Sequence, residues 1–203
     1  MKIKINTLIS FVFHPIIIPI VATILYFIFL PRHVDETAER SIIISSFITV
    51  YILPLVFIYL LKKLKLIETY EMLTVVERKF PLLFFTVLSY LLGIILFRTG
   101  IVPELALFYF GMTLVLLISY LLLYINFKIS MHTIGIGGLI GFIGLLSYAY
   151  HLNLIIIIAA LFILAGFIAT SRLILKAHIG KEVYLGFAIG LFSQIAIYSI
   201  YNI

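Results

Sequence analysis

Two histidines and their neighbours carry most of the chemistry open to this sequence. The segment Ser171-Arg172-Leu173-Ile174-Leu175-Lys176-Ala177-His178-Ile179-Gly180-Lys181-Glu182 sets a histidine four residues before a carboxylate. On a helical stretch that spacing puts both on one face, so Glu182 can hold one imidazole nitrogen and leave the other to act as base or nucleophile. Arg172 adds a planar fork of donors that matches phosphate oxygens and stays charged at any relevant pH. The segment Lys128-Ile129-Ser130-Met131-His132-Thr133 sets a second histidine where a helix is expected to begin, and a helix N-terminus favours anions. His132 suits protonation of a leaving oxygen, and Ser130 suits either a helix cap or a phosphate contact. A third segment, Glu77-Arg78-Lys79-Phe80-Pro81, offers two more cations, with Pro81 expected in the first turn of a helix.

Each segment taken alone also has a plain structural reading. Arg172, Lys176 and Lys181 can snorkel to headgroups while His178 caps or packs. Arg78 and Lys79 can serve as ordinary interface anchors. What raises the chemical reading is that the three segments can converge, and that depends on the elements that carry them.

Those elements are membrane spans. Of 203 residues, 65% are hydrophobic and 11% charged, and mean hydropathy is +1.31, which excludes a soluble globular domain. Crossing a bilayer takes about 20 helical residues. Seven apolar runs of about that length or longer lie near 5–30, 41–61, 81–98, 104–126, 132–150, 153–171 and 182–201. They are too long and too dense for the alternating strands of a β-barrel. The expected fold is all-α, a polytopic transmembrane helical bundle of about seven spans forming one integral membrane domain over residues 1–203. The first run continues to Leu30 without a small-x-small cleavage site, so a retained span is expected rather than a signal peptide. Within it, Phe13-His14-Pro15-Ile16-Ile17-Ile18-Pro19 predicts a break, because each proline removes a backbone donor.

Seven spans place the N-terminus and the joints at 62–80, 127–131 and 172–181 on one face. That face holds Lys2, Lys4, Lys62, Lys63, Lys65, Arg78, Lys79, Lys128, Arg172, Lys176 and Lys181, against Arg32, Arg40 and Arg98 on the other. The positive-inside rule makes the basic face cytoplasmic. The net charge of +6 is thus membrane anchoring, not a nucleic-acid footprint. The same face gathers Ser130, His132, Ser171, His178 and Glu182. His33 and His151 fall toward the opposite face, and His14, on the broken span, is expected to be structural. Gly137-x3-Gly141 and Gly186-x3-Gly190 are expected to let the helices that carry the two histidines approach closely. The absence of cysteine rules out disulfides and thiolate chemistry.

Taken in order, the three segments resemble the signature of the type 2 phosphatidic acid phosphatase superfamily: Lys-x6-Arg-Pro, Pro-Ser-Gly-His and Ser-Arg-x5-His-x3-Asp. The third part matches at Ser171, Arg172 and His178, with Glu182 in place of aspartate. The second matches at Ser130 and His132, with Ile129 and Met131 replacing proline and glycine. The first part is degenerate, with Pro81 preceded by Phe80. The likeness covers residues 77–190, and His14-Pro15 with Gly137-Gly138 resembles a compact bacterial subgroup. The resemblance implies a six-helix core to which this chain adds one span, in a bacterial inner membrane. It implies that His178 attacks phosphorus to form a phosphohistidine, that Glu182 orients it and that His132 protonates the leaving group. It further implies that Arg172, Ser130 and a basic residue of the first segment, Arg78 or Lys79, bind the phosphate oxygens. No metal or cofactor is expected, and the partner is a phosphorylated lipid, a phospholipid or isoprenoid that carries a phosphate or a diphosphate. A non-catalytic lipid-binding or lipid-translocating protein, and a lipid phosphotransferase, are the alternatives.

Overall fold

A computed structural model describes residues 2–70, 72 and 74–201, with the backbone alone at Lys2 and Ile3. The Lys2 side chain, counted above with the basic face, lies outside the described residues. Among the described residues, six helices are long and apolar enough to cross a membrane: Glu36–Lys63, Val75–Thr99, Pro103–Ile125, Met131–Ala149, Ile155–Ile174 and Gly180–Tyr201. No strand occurs among the described residues. The chain is therefore a multi-pass helical membrane protein.

The first expected span departs from that pattern. Residues 5–30 form two helices, α1 (Lys2–Val12) and α2 (Ile18–Phe29), meeting at a turn over 13–17. Pro15 cannot donate to a helical ladder, and Pro19 sits in the first turn of α2, where a missing N–H costs nothing. At 12 residues, α2 falls short of a bilayer crossing.

The chain divides into two compact units, Met1–His33 with Ile129–Ile203, and Val34–Lys128. In the second, α3 (Glu36–Phe47) is capped by Asp35, whose carboxylate accepts from Thr37 N–H at 3.0 Å and Ala38 N–H at 3.2 Å. It runs through a π-turn (Ile48–Ile52) into α4 (Leu53–Lys63). The π-turn widens the backbone just ahead of Pro54, whose ring would otherwise strike the carbonyl four residues before it. Helix α5 (Val75–Thr99) begins at a capping box between Thr74 and Glu77, not at Pro81, which lies inside the helix. The box satisfies the end donors, so the helix starts earlier than proline placement suggested. Helix α6 (Pro103–Leu122) packs on α5, joined by a 2.9 Å hydrogen bond between the hydroxyls of Ser89 and Thr113.

The first unit holds α1, α2, α7 (Met131–Ala149), α8 (Ile155–Ile174) and α9 (Gly180–Tyr201). Helices α7 and α9 form its central pair. A Cβ built at Gly186 would lie 2.6 Å from Thr133 Oγ1 and 2.9 Å from the Ser130 carbonyl, and one at Gly141 2.7 Å from the Leu191 carbonyl. Gly137 and Gly190 are closed by the backbone of Phe187 and Ile134 in the same way. The glycines expected to serve packing therefore do so, and they bring the start of α7 against the start of α9. Helix α1 packs on α8, and α2 on α7.

Candidate functional site

Helix α8 ends two residues after Ser171-Arg172 in a Schellman turn. Ala177 N–H donates to the Arg172 carbonyl at 3.2 Å and Lys176 N–H to the Leu173 carbonyl at 3.0 Å, with Lys176 left-handed at φ 52°. The turn delivers His178 just ahead of α9. The sequence reading put His178 and Glu182 on one continuous helical face, whereas His178 sits in the turn and Glu182 in the first turn of α9. The contact survives because Glu182 reaches backwards. Its Oε2 lies 2.8 Å from His178 Nδ1 and accepts from Ile179 N–H at 3.2 Å, the reach of an N3 glutamate to its cap residue. His178 is 7% exposed.

Ser130 precedes α7, but its hydroxyl makes no capping bond. Ser130 is 0% exposed, and its Oγ is buried with no hydrogen-bond partner among the described residues. Its backbone is fully engaged: Ser130 N–H donates to the Glu182 carbonyl at 3.2 Å, and its carbonyl accepts from Thr133 Oγ1 at 3.0 Å and from Ile134 N–H at 3.0 Å. The two sequence segments are thus pinned backbone to backbone, with an unsatisfied hydroxyl beside the pin.

His132, half-buried one residue into α7, lies with Nε2 3.1 Å from the Ser10 carbonyl of α1. A carbonyl only accepts, so Nε2 carries the proton of that bond and Nδ1 is the nitrogen left for exchange. His14 meets the same ring edge to face, with centroids 5.5 Å apart. The charge of Arg172 reaches both His14 and His132, and His178 also acts electrostatically on His132. His178, Glu182, His132, Ser130 and Arg172 therefore gather in one unit.

Arg78 and Lys79 belong to the other unit and have partners there. Arg78 Nε donates to the Met72 carbonyl at 2.9 Å, and Lys79 Nζ lies 4.7 Å from the centre of the Tyr124 ring.

The residues that sequence reasoning left out come from α1. Asn6 and Ser10 are buried on a helix whose other side chains are mostly exposed, and Asn6 Oδ1 lies 3.1 Å from Ser171 Oγ, next to Arg172. With His14, in the turn after α1, they follow at a spacing of four residues along a mostly apolar segment. That periodicity was available as a signal.

No family model, curated protein or solved structure matches this chain.

Proposed function

We propose that the chain is a membrane lipid phosphatase that works through a phosphohistidine at His178. The observation that carries this reading is the 2.8 Å bond from Glu182 to His178 Nδ1, with Ser130 bonded through its backbone N–H to the Glu182 carbonyl and its hydroxyl buried with no hydrogen-bond partner among the described residues. A carboxylate on Nδ1 fixes the ring and favours attack from Nε2. Arg172 and Ser130 would hold the non-bridging oxygens, so rate enhancement comes from position and charge. In the first step an N–P bond forms at His178 Nε2 and the P–O bond to the lipid breaks, the leaving oxygen taking the Nδ1 proton of His132, which enters the step as the imidazolium with both ring nitrogens protonated. In the second, water gives that proton back to His132 as its oxygen attacks phosphorus and the N–P bond breaks.

The likeness to the type 2 phosphatidic acid phosphatase signature supports the same roles at Ser130, His132, Arg172 and His178. The excess of lysine and arginine around these joints favours a cytoplasmic-facing site in a bacterial inner membrane.

The purified protein is expected to release inorganic phosphate from a phosphorylated lipid in the presence of a metal chelator, and His178→Ala to stop release. Lipid movement between leaflets by a wild-type protein that releases no phosphate would favour the translocating alternative.

A further inference from the structure

The phosphatase reading leaves α1 and the turn after it without a task, although together they supply three polar side chains to the neighbourhood of His132 and Arg172. Displacement at phosphorus needs the attacking and leaving atoms roughly in line, with phosphorus between them. His178 attacks from the turn before α9, so the leaving oxygen lies toward its proton donor, His132. Whatever surrounds His132 away from α9 is therefore what the leaving group meets.

That surround is α1 and the turn after it. The Ser10 carbonyl holds His132 Nε2, and Ser10 Oγ is buried with no hydrogen-bond partner among the described residues. His14 lies against the His132 ring. Its Nδ1 accepts from Ile16 N–H at 3.3 Å, which leaves the proton of the neutral ring on Nε2 as a donor. Arg172 adds positive charge to the same place. On the other side of the helix Leu8 and Phe11 are 60% and 75% exposed, an apolar face along which a lipid chain can run.

We infer that α1 and the turn after it form the leaving-group side of the site, and that Ser10 and His14 receive the inner phosphate of a lipid bearing a diphosphate. The inference rests on the phosphatase reading. An uncharged alcohol leaving as the reaction's product would bring one oxygen to Ser10, His14 and His132 together, and a buried donor left unmet costs about 1–3 kcal/mol. A leaving phosphate brings oxygens for all three. The steps balance: His178 Nε2 bonds to the outer phosphorus, the bridging P–O bond breaks, and the bridging oxygen leaves on the lipid monophosphate with the proton of His132. Water then splits the N–P bond and inorganic phosphate departs.

The test compares kcat/KM for an isoprenoid diphosphate and for the monophosphate of the same alcohol, in wild type, Ser10→Ala, His14→Ala and His178→Ala. Wild type is expected to favour the diphosphate by tenfold or more, and Ser10→Ala and His14→Ala each to shrink that ratio by about tenfold or more, the value of one charge-assisted hydrogen bond. A ratio within one variant is independent of how much of it folds. An unchanged ratio in both Ser10→Ala and His14→Ala, or a wild-type preference for the monophosphate, overturns the inference. Turnover persisting in His178→Ala would instead remove the nucleophile while the ratio still judged α1. No phosphate from either lipid in wild type would remove both.

Discussion

Glu182 joins two tasks in one oxygen: Oε2 accepts from the backbone N–H of Ile179 at the start of α9 and lies 2.8 Å from Nδ1 of the buried His178. The helix cap and the orientation of the histidine are the same interaction. Glutamine keeps an acceptor for both bonds but loses the charge that stabilises an imidazolium. Glu182→Gln is therefore expected to fold with a melting temperature near wild type and to lose about 10²-fold or more in kcat. Glu182→Ala is expected to lose both activity and about 1 kcal/mol of stability from the cap. Denaturation in detergent and single-turnover phosphate release separate the two effects.

Ser130 and Ser171 are both fully buried serines, yet they are expected to respond oppositely to alanine. The Ser130 hydroxyl has no hydrogen-bond partner among the described residues, so its removal relieves a desolvated polar group and is expected to stabilise the fold by roughly 1 kcal/mol. Activity is expected to fall by about tenfold, as one phosphate contact is lost. Ser171 Oγ donates to the Phe167 carbonyl at 2.8 Å and meets Asn6, so Ser171→Ala is expected to destabilise by about 1 kcal/mol. A Ser130→Ala protein that is less stable and fully active would reverse the assignment.

The glycines of α7 and α9 set the distance between the two histidine-bearing segments. Gly186→Ala puts a Cβ into the Ser130 carbonyl and Thr133 Oγ1, and is expected to cost about 1–3 kcal/mol and most activity. Gly144 and Gly166 meet nothing within 4 Å, and alanine there is expected to gain about 0.5–1 kcal/mol from helix propensity. Thermal melts of the three variants check the order.

Sidedness follows from the lysine bias. A single cysteine at Lys181, an exposed residue at the start of α9, is expected to resist a membrane-impermeant thiol reagent in intact cells and to react once the membrane is opened. Labelling from outside would place the site on the opposite face.

The helical membrane class and the approximate limits of the last four spans were legible because hydropathy and length leave few alternatives, whereas the first expected span is broken in two and the next two helices begin earlier than expected. The pairing of Glu182 with His178 followed from spacing, and the approach of α7 to α9 from their small residues. Three features were not legible. Glu182 works across a turn because the Schellman end of α8 intervenes, and spacing alone cannot tell that from a helix. Pro81 lies within α5 because the Thr74 and Glu77 box supplies a better start. His14 sits against His132 because the proline break ends α1 there, so a residue 118 positions away in sequence becomes a neighbour through tertiary packing alone.

The most direct test of the phosphohistidine is to trap it. A lipid labelled in its terminal phosphate is mixed with enzyme and quenched in alkali within one turnover, and the label is mapped by peptide. The expected result is an acid-labile, alkali-stable label on the peptide containing His178, absent from His178→Ala and prolonged in His132→Ala. Phosphate release without any labelled peptide, or a label retained by His178→Ala, would contradict it.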